Sequence, residues 1–135
     1  MVKLTKQDKE LIEKAKNLVN VRKVSGGVVG EVGCALITKK GEIFTGVCMD
    51  LSSGIGFCAE HTAIANMISH SDETEISTIV ACTDSKRNPI LYPCGRCREL
   101  MQLIDKKNRE NTFVITPDNK KIKLKELLPF SWLEN

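Results

Sequence analysis

The sequence predicts an α/β fold, a layer of five strands with helices covering the sheet. Three observations point there. Strands and helices alternate through the middle of the chain, each segment keeps either a helical apolar period or a short β-branched character, and neither an internal repeat nor a low-complexity linker interrupts them. With 135 residues, 41% of them apolar and 27% charged, the chain is expected to fold as one domain over residues 1–135 with a core of its own.

The elements follow in order. Thr5 with Asp8 three residues on marks a helix start, and Leu4, Leu11, Ile12, Ala15, Leu18 and Val19 recur at helical spacing, which predicts a first helix over residues 6–20. Ser25-Gly26-Gly27 breaks that period. Residues 32–38 and 42–48 then read as two strands joined by a turn at Lys39-Lys40-Gly41, a hairpin. The Ser/Gly loop 51–56 delivers the chain into a second helix over 58–69, where Ala59, Ala63 and Met67 share a face. Residues 76–83 are rich in β-branched side chains and predict a buried strand, with Asn88-Pro89 and Tyr92-Pro93 punctuating the loop behind it. Cys94 opens a third helix in which Cys97, Leu100, Met101 and Ile104 line up. Residues 112–116 and 121–124 give two last strands around Pro117-Asp118-Asn119, and a short helix at 125–128 stops before Pro129.

Charge narrows the partners. The net charge is a mild +3, and the lysines gather near the two ends among acidic residues that partly cancel them. No aromatic side chains interleave with them, as a platform for single-stranded nucleic acid requires, so a small-molecule substrate is expected. The start, Met1-Val2-Lys3-Leu4-Thr5-Lys6, lacks the apolar block of a signal peptide, and no apolar run is long enough to span a bilayer. The expected location is the cytoplasm, where six cysteines remain thiols and each needs a reading as metal ligand, redox group or buried apolar side chain.

Cys94-Gly95-Arg96-Cys97 sets two sulfurs one turn apart at a helix start, where unpaired amides favour thiolates, the form that binds zinc. One pair does not close a zinc site, and Cys58, also at a helix start, is the natural third ligand. Three protein ligands with an open fourth position describe a catalytic zinc site. Glu60, two residues after Cys58, stands where a carboxylate reaches a water at that position without binding the metal. Cys34 and Cys82 fall in strands and read as core, and His70 at the end of the second helix reads as structural.

Cys58-Ala59-Glu60 followed by Pro93-Cys94-Gly95-Arg96-Cys97 resembles the zinc signature of the cytidine deaminase superfamily. The match is to the three-cysteine variant, found in small homotetrameric cytidine deaminases and in the blasticidin S deaminase type. Val32-Gly33-Cys34-Ala35-Leu36, Ile43-Phe44-Thr45-Gly46-Val47 and Leu127-Leu128-Pro129 are similar to family segments as well. The resemblance implies a cytidine deaminase-like fold, a mixed five-stranded sheet with helices packed on both faces, and one zinc ion per subunit on Cys58, Cys94 and Cys97. It implies that Glu60 carries protons from the metal's water to the cytosine ring and the leaving amine. The substrate would be a free cytosine-type nucleoside (cytidine, deoxycytidine or an analogue such as blasticidin S), and the assembly a homotetramer.

Several positions depart from the common pattern. Where cytidine deaminases often carry an arginine after the catalytic glutamate, this chain has His61; Arg96, between the paired cysteines, resembles the blasticidin S type. Arg96, with His61 secondary, is the expected positive charge beside three thiolates. On the sugar side, Cys48 and Asp50 stand where the family has an asparagine and often a glutamate, and Gly30 where many members have a stacking phenylalanine. Cys48, Asp50, Ala59 and Trp132 are the expected substrate contacts, Trp132 matching a C-terminal aromatic that closes a neighbouring subunit's pocket. Three alternatives compete: a Cys94/Cys97 redox pair, a non-catalytic zinc-stabilised binding module, which needs a fourth protein ligand, and a deaminase acting on a nucleic acid base.

Overall fold

The computed structural model describes residues 2–134. Helix α1 (Lys6–Leu18) begins with the expected capping box: the Asp8 amide donates to Thr5 Oγ1 at 3.2 Å and the Thr5 amide to Asp8 Oδ2 at 2.9 Å. It stops two residues before the expected end because Val19 already has extended backbone, φ −64° and ψ 118°.

The chain then forms β2 (Arg22–Val24), β3 (Gly27–Thr38) and β4 (Ile43–Leu51), after the two-residue β1 (Val2–Lys3). Helix α2 (Ala59–His70), β5 (Ile76–Cys82), β6 (Ile90–Leu91), α3 (Gly95–Ile104), α4 (Lys107–Asn111), β7 (Phe113–Thr116) and β8 (Lys120–Lys123) follow. The strands form one sheet in the order β1-β8-β7-β5-β3-β2, with β4 on the other edge of β3 and β6 added to β5. Only β5 and β7 run parallel, so the sheet is mixed as expected.

Among the described residues eight strands replace the expected five. The three additional ones, β1, β2 and β6, have two or three residues each and carry almost no buried face, so no alternation betrays them. The short polar α4 was likewise not expected, and the closing helix is a 3-10 turn at Leu124–Glu126 rather than a helix over 125–128.

Helices cover both faces, and the central strand shows why. Along β3, Cys34 and Leu36 face a core built with Ala63, Ile64 and Met67 of α2 and Met101 of α3. Ala35 and Ile37 face the opposite core with Leu11, Ile12 and Ala15 of α1. Asn108, fully buried in α4, holds the layers in register. Its Oδ1 accepts from the Ile76 amide at 2.8 Å and its Nδ2 donates to the carbonyls of Met101 at 2.8 Å and Thr74 at 3.0 Å. Among the described residues no helix is long and apolar enough to cross a membrane.

One irregularity shapes the sheet near its mouth. Between Val29↔Met49 and Gly33↔Val47, β3 spends four steps against two of β4, a wide bulge. Gly30 sits in it at φ +82°, where a Cβ would lie 2.1 Å from the Asn20 carbonyl oxygen. Only glycine takes this position without rebuilding the bulge.

Candidate metal and catalytic site

Two helix starts meet at the site. Cys58 is the N-cap residue of α2 and Cys94 that of α3, both with extended backbone. Cys58 is delivered by a short pairing of its preceding segment with β4: the Met49 amide donates to the Phe57 carbonyl at 3.0 Å and the Phe57 amide to the Met49 carbonyl at 2.9 Å. Helix α2 is fixed on the same strand, with Thr62 Oγ1 donating to the Val47 carbonyl at 2.8 Å and Asn66 Nδ2 to the Thr45 carbonyl at 2.7 Å. Cys94 follows β6 and Pro93. Arg98, one turn into α3, donates through Nε to the Pro93 carbonyl at 2.7 Å and through Nη1 to the Leu127 carbonyl at 3.2 Å, which ties the approach to Cys94 to the end of the chain.

The three sulfurs of Cys58, Cys94 and Cys97 lie within 4.8 Å of one another, the Cys58 and Cys94 pair at 3.4 Å. Tetrahedral zinc with bonds of about 2.3 Å to sulfur needs ligand sulfurs about 3.8 Å apart, which this spacing brackets. Among the described residues no other cysteine, histidine or carboxylate joins the group, so the fourth direction belongs to no protein ligand.

Electrostatics point the same way. Burial, followed by the neighbouring Glu60 carboxylate and the other two thiols, pushes the Cys97 thiol far up; burial and the Cys94 thiol also raise Cys58. Burial works against Cys94 as well, but the amides of Cys97 and Arg96 at the helix start, with the neighbouring thiols, bring it below the ordinary thiol value. Cys58 and Cys97, both raised, need a cation beside them to become thiolates together with Cys94. The residues therefore fit a divalent, thiophilic metal.

Glu60 lies in the first turn of α2 and is 5% exposed. Burial raises its carboxyl pKa above the usual range, partly offset by its own amide. His61 stacks on Phe57 at 4.5 Å between ring centroids, and its Nδ1 is buried without a partner among the described residues. Burial and then the positive charge of Arg96 hold the His61 pKa below its usual value.

A cleft of about 510 Å³ opens beside the sulfurs, lined among others by Cys48, Asp50, Ile55, Cys58 and Arg96. Four of the expected site residues thus share one wall. The other six lie outside its lining: Cys94, Cys97, Glu60 and His61 sit behind it around the sulfurs, Ala59 is fully buried in the core under α2, so only its backbone is free for a ligand, and Trp132, 66% exposed, holds to Glu99 through its amide at 2.8 Å. Phe57 and Arg98 were not singled out from sequence. An aromatic four residues before His61 and an arginine four after Cys94 were the available signals, both too common to stand out.

The family profile of the cytidine and deoxycytidylate deaminase zinc-binding region matches residues 5–110. A probable cytidine deaminase of Dictyostelium discoideum is 41% identical over 69 residues, 50% of this chain and 46% of that protein, so this chain spans about half of that relative's length. The blasticidin-S deaminase of Bacillus cereus is 29% identical over 98% of this chain and 96% of its own. Among solved structures, the cytidine deaminase of Mycobacterium leprae superposes with a TM-score of 0.74 at 24% identity, covering 94% of this chain and all of that one, and shows the shared fold.

Proposed function

Because this chain belongs to the cytidine and deoxycytidylate deaminase family, we propose that it hydrolytically deaminates a free cytosine-type nucleoside in a zinc-dependent reaction. The substrate would be cytidine, deoxycytidine or an analogue such as blasticidin S, and the products the uracil-type nucleoside and ammonia. The observation that carries this reading is the convergence of Cys58, Cys94 and Cys97 on one point, with Cys58 lining the cleft and the buried Glu60 carboxylate near enough to act on the Cys58 and Cys97 thiols.

In this reading the three cysteines hold one zinc ion per subunit. When bound, that ion supplies a Lewis acid that lowers the pKa of a water molecule from about 15.7 to about 7. Glu60 does the proton work. Its buried carboxyl keeps a proton closer to neutrality than an exposed glutamate does, so Oε accepts a proton from water and gives it up to the ring nitrogen and then to the departing amine. Arg96, at the cleft wall in the first turn of α3, offsets the negative charge of three thiolates, with His61 held beside it by Phe57.

Cys48 and Asp50, lining the same cleft, are the contacts proposed for the sugar or its replacement, with the Ala59 backbone at the start of α2. Trp132 lies outside this chain's cleft and is exposed, which suits a ring that covers the cleft of a neighbouring subunit in a homotetramer. One domain per subunit and a cytoplasmic location complete the proposal.

The test is ammonia release by metal-analysed protein over cytidine, deoxycytidine, cytosine, blasticidin S and a cytosine-containing single-stranded oligonucleotide. Turnover of one or more free nucleosides, and none of the oligonucleotide, is expected. A protein with stoichiometric zinc that turns over no aminopyrimidine would overturn the reading.

A further inference from the structure

We propose that Cys48 and Cys58 form an oxidation-sensitive pair, whose disulfide withdraws Cys58 from the metal site. The consequence for the metal rests on the ligand set proposed above; the pairing itself does not.

Strand register sets these two cysteines side by side. Met49 and Phe57 exchange both amide-to-carbonyl hydrogen bonds, at 3.0 and 2.9 Å, so they are a hydrogen-bonded antiparallel pair. One step along each chain sets Cys48 opposite Cys58 as a non-hydrogen-bonded pair; Cys48 lies within β4 and Cys58 keeps extended backbone at φ −72° and ψ 158°. Such pairs bring Cα atoms to about 4.5 Å with side chains on one face, inside the span of about 4.4–6.8 Å that a disulfide bridges. Independently, both cysteines line the same cleft. The connection between them carries Gly54, at φ +66° with open space around it, which leaves the loop room to adjust.

Cys48 is also the thiol an oxidant meets. It is half-buried at the cleft, stands outside the group of three sulfurs, and has the Val32 amide at 3.3 Å from its Sγ. Cys34 and Cys82 are fully buried. Cys58 and Cys94 are closer to each other, at 3.4 Å, but both are engaged while metal is held, so oxidation begins at Cys48. A hydroperoxide transfers one oxygen to the Cys48 thiol, its O–O bond breaking with release of water, or of an alcohol from an organic peroxide, to leave a sulfenic acid. The Cys58 thiolate then attacks that sulfur, the S–S bond forms, the S–O bond breaks, and the oxygen leaves as water with a solvent proton. Two electrons have passed from two sulfurs to one peroxide, and two cysteines remain for the metal.

The experiment exposes zinc-loaded protein to one equivalent of hydrogen peroxide, follows free zinc with a colorimetric chelator, and maps cross-linked peptides without reduction. A Cys48–Cys58 link that forms together with zinc release is expected, reversed by dithiothreitol and added zinc. Cys48→Ser and Cys48→Ala should release zinc on the order of tenfold more slowly, since only engaged sulfurs remain at the cleft; Cys82→Ser should match the parent. A dominant Cys58–Cys94 or Cys94–Cys97 link, or release from both Cys48 variants at the parent rate, would overturn the proposal. If the purified protein holds no zinc, the metal reading fails instead, and the peptide map of the oxidised chain still decides the pair.

Discussion

Replacing Gly46 with alanine tests the seating of the helix that carries half the site. Gly46 lies on β4 opposite Cys34, beneath the first turns of α2. A Cβ there would stand 2.5 Å from the Ala63 amide nitrogen, 2.6 Å from Thr62 Cβ and 2.8 Å from the Thr62 carbonyl carbon. Ordinary contact begins near 3.4 Å, so α2 must retreat by about 0.9 Å. The bonds from Thr62 to Val47 and from Asn66 to Thr45 resist that movement. Overpacking of this kind costs about 1–3 kcal/mol, which urea unfolding reads as a lower midpoint. The same retreat displaces Cys58 and Glu60 relative to Cys94 and Cys97, which α3 carries. A misplacement of about 1 Å lowers turnover on the order of 100-fold. Urea midpoint, zinc affinity by chelator competition and kcat/KM for ammonia release should all fall together in Gly46→Ala. An unchanged midpoint with unchanged zinc affinity would refute the close approach of α2 to this strand.

Glu60→Gln should keep its zinc, measured by metal analysis, while kcat drops about 100- to 10,000-fold, the usual share of a positioned acid–base group. Arg96→Ala should weaken zinc binding and move the acidic limb of the pH–rate profile upward, because removing a positive charge makes ionisation at the site harder; a superimposable profile counts against its role. Asn108→Ala strands the buried Ile76 amide, the buried Met101 carbonyl and the part-buried Thr74 carbonyl, and should cost about 2–5 kcal/mol in urea unfolding. Asp8 carries an acid-sensitive contribution. Burial raises its pKa, but Lys121 Nζ at 2.8 Å and the bonds from Thr5 more than reverse this, so the folded pKa lies below that of the unfolded chain. Its stabilisation is present above the unfolded value of about 3.9 and is lost as pH falls through the folded one. Asp8→Asn should therefore flatten the decline of stability below about pH 4, measured as urea midpoint against pH.

The features legible in the sequence were those whose cause is local. Thr5 and Asp8 cap a helix within one turn, and Asn119 turns the last hairpin at φ 60° through its own backbone. Cys94 and Cys97 state their spacing outright. Cys58 joined them only by inference, since the distance between sulfurs depends on β4 and on Arg98 bridging to Leu127. What escaped was set by tertiary partners. Arg22–Val24 has three exposed residues and is a strand because β3 lies beside it. Lys107–Asn111 is polar, and its reason for existing is the buried amide of Asn108. Cys48, Asp50 and Arg96 were named from sequence one by one; their shared cleft is a product of the fold.

The bulge at Gly30 also limits which neighbouring sequences this protein can reach by single changes. With φ +82° and the Asn20 carbonyl 2.1 Å from where a Cβ would stand, an aromatic ring cannot be introduced at this position in one step. The two surplus residues of β3 must go first, which alters its pairing with β4, the strand that carries Cys48 and Asp50. Under the proposed function, substrate preference on this scaffold would therefore shift by coupled changes in both strands, and selection for a different ligand should find its first useful substitutions at residues 48, 50 and 96, which share the cleft.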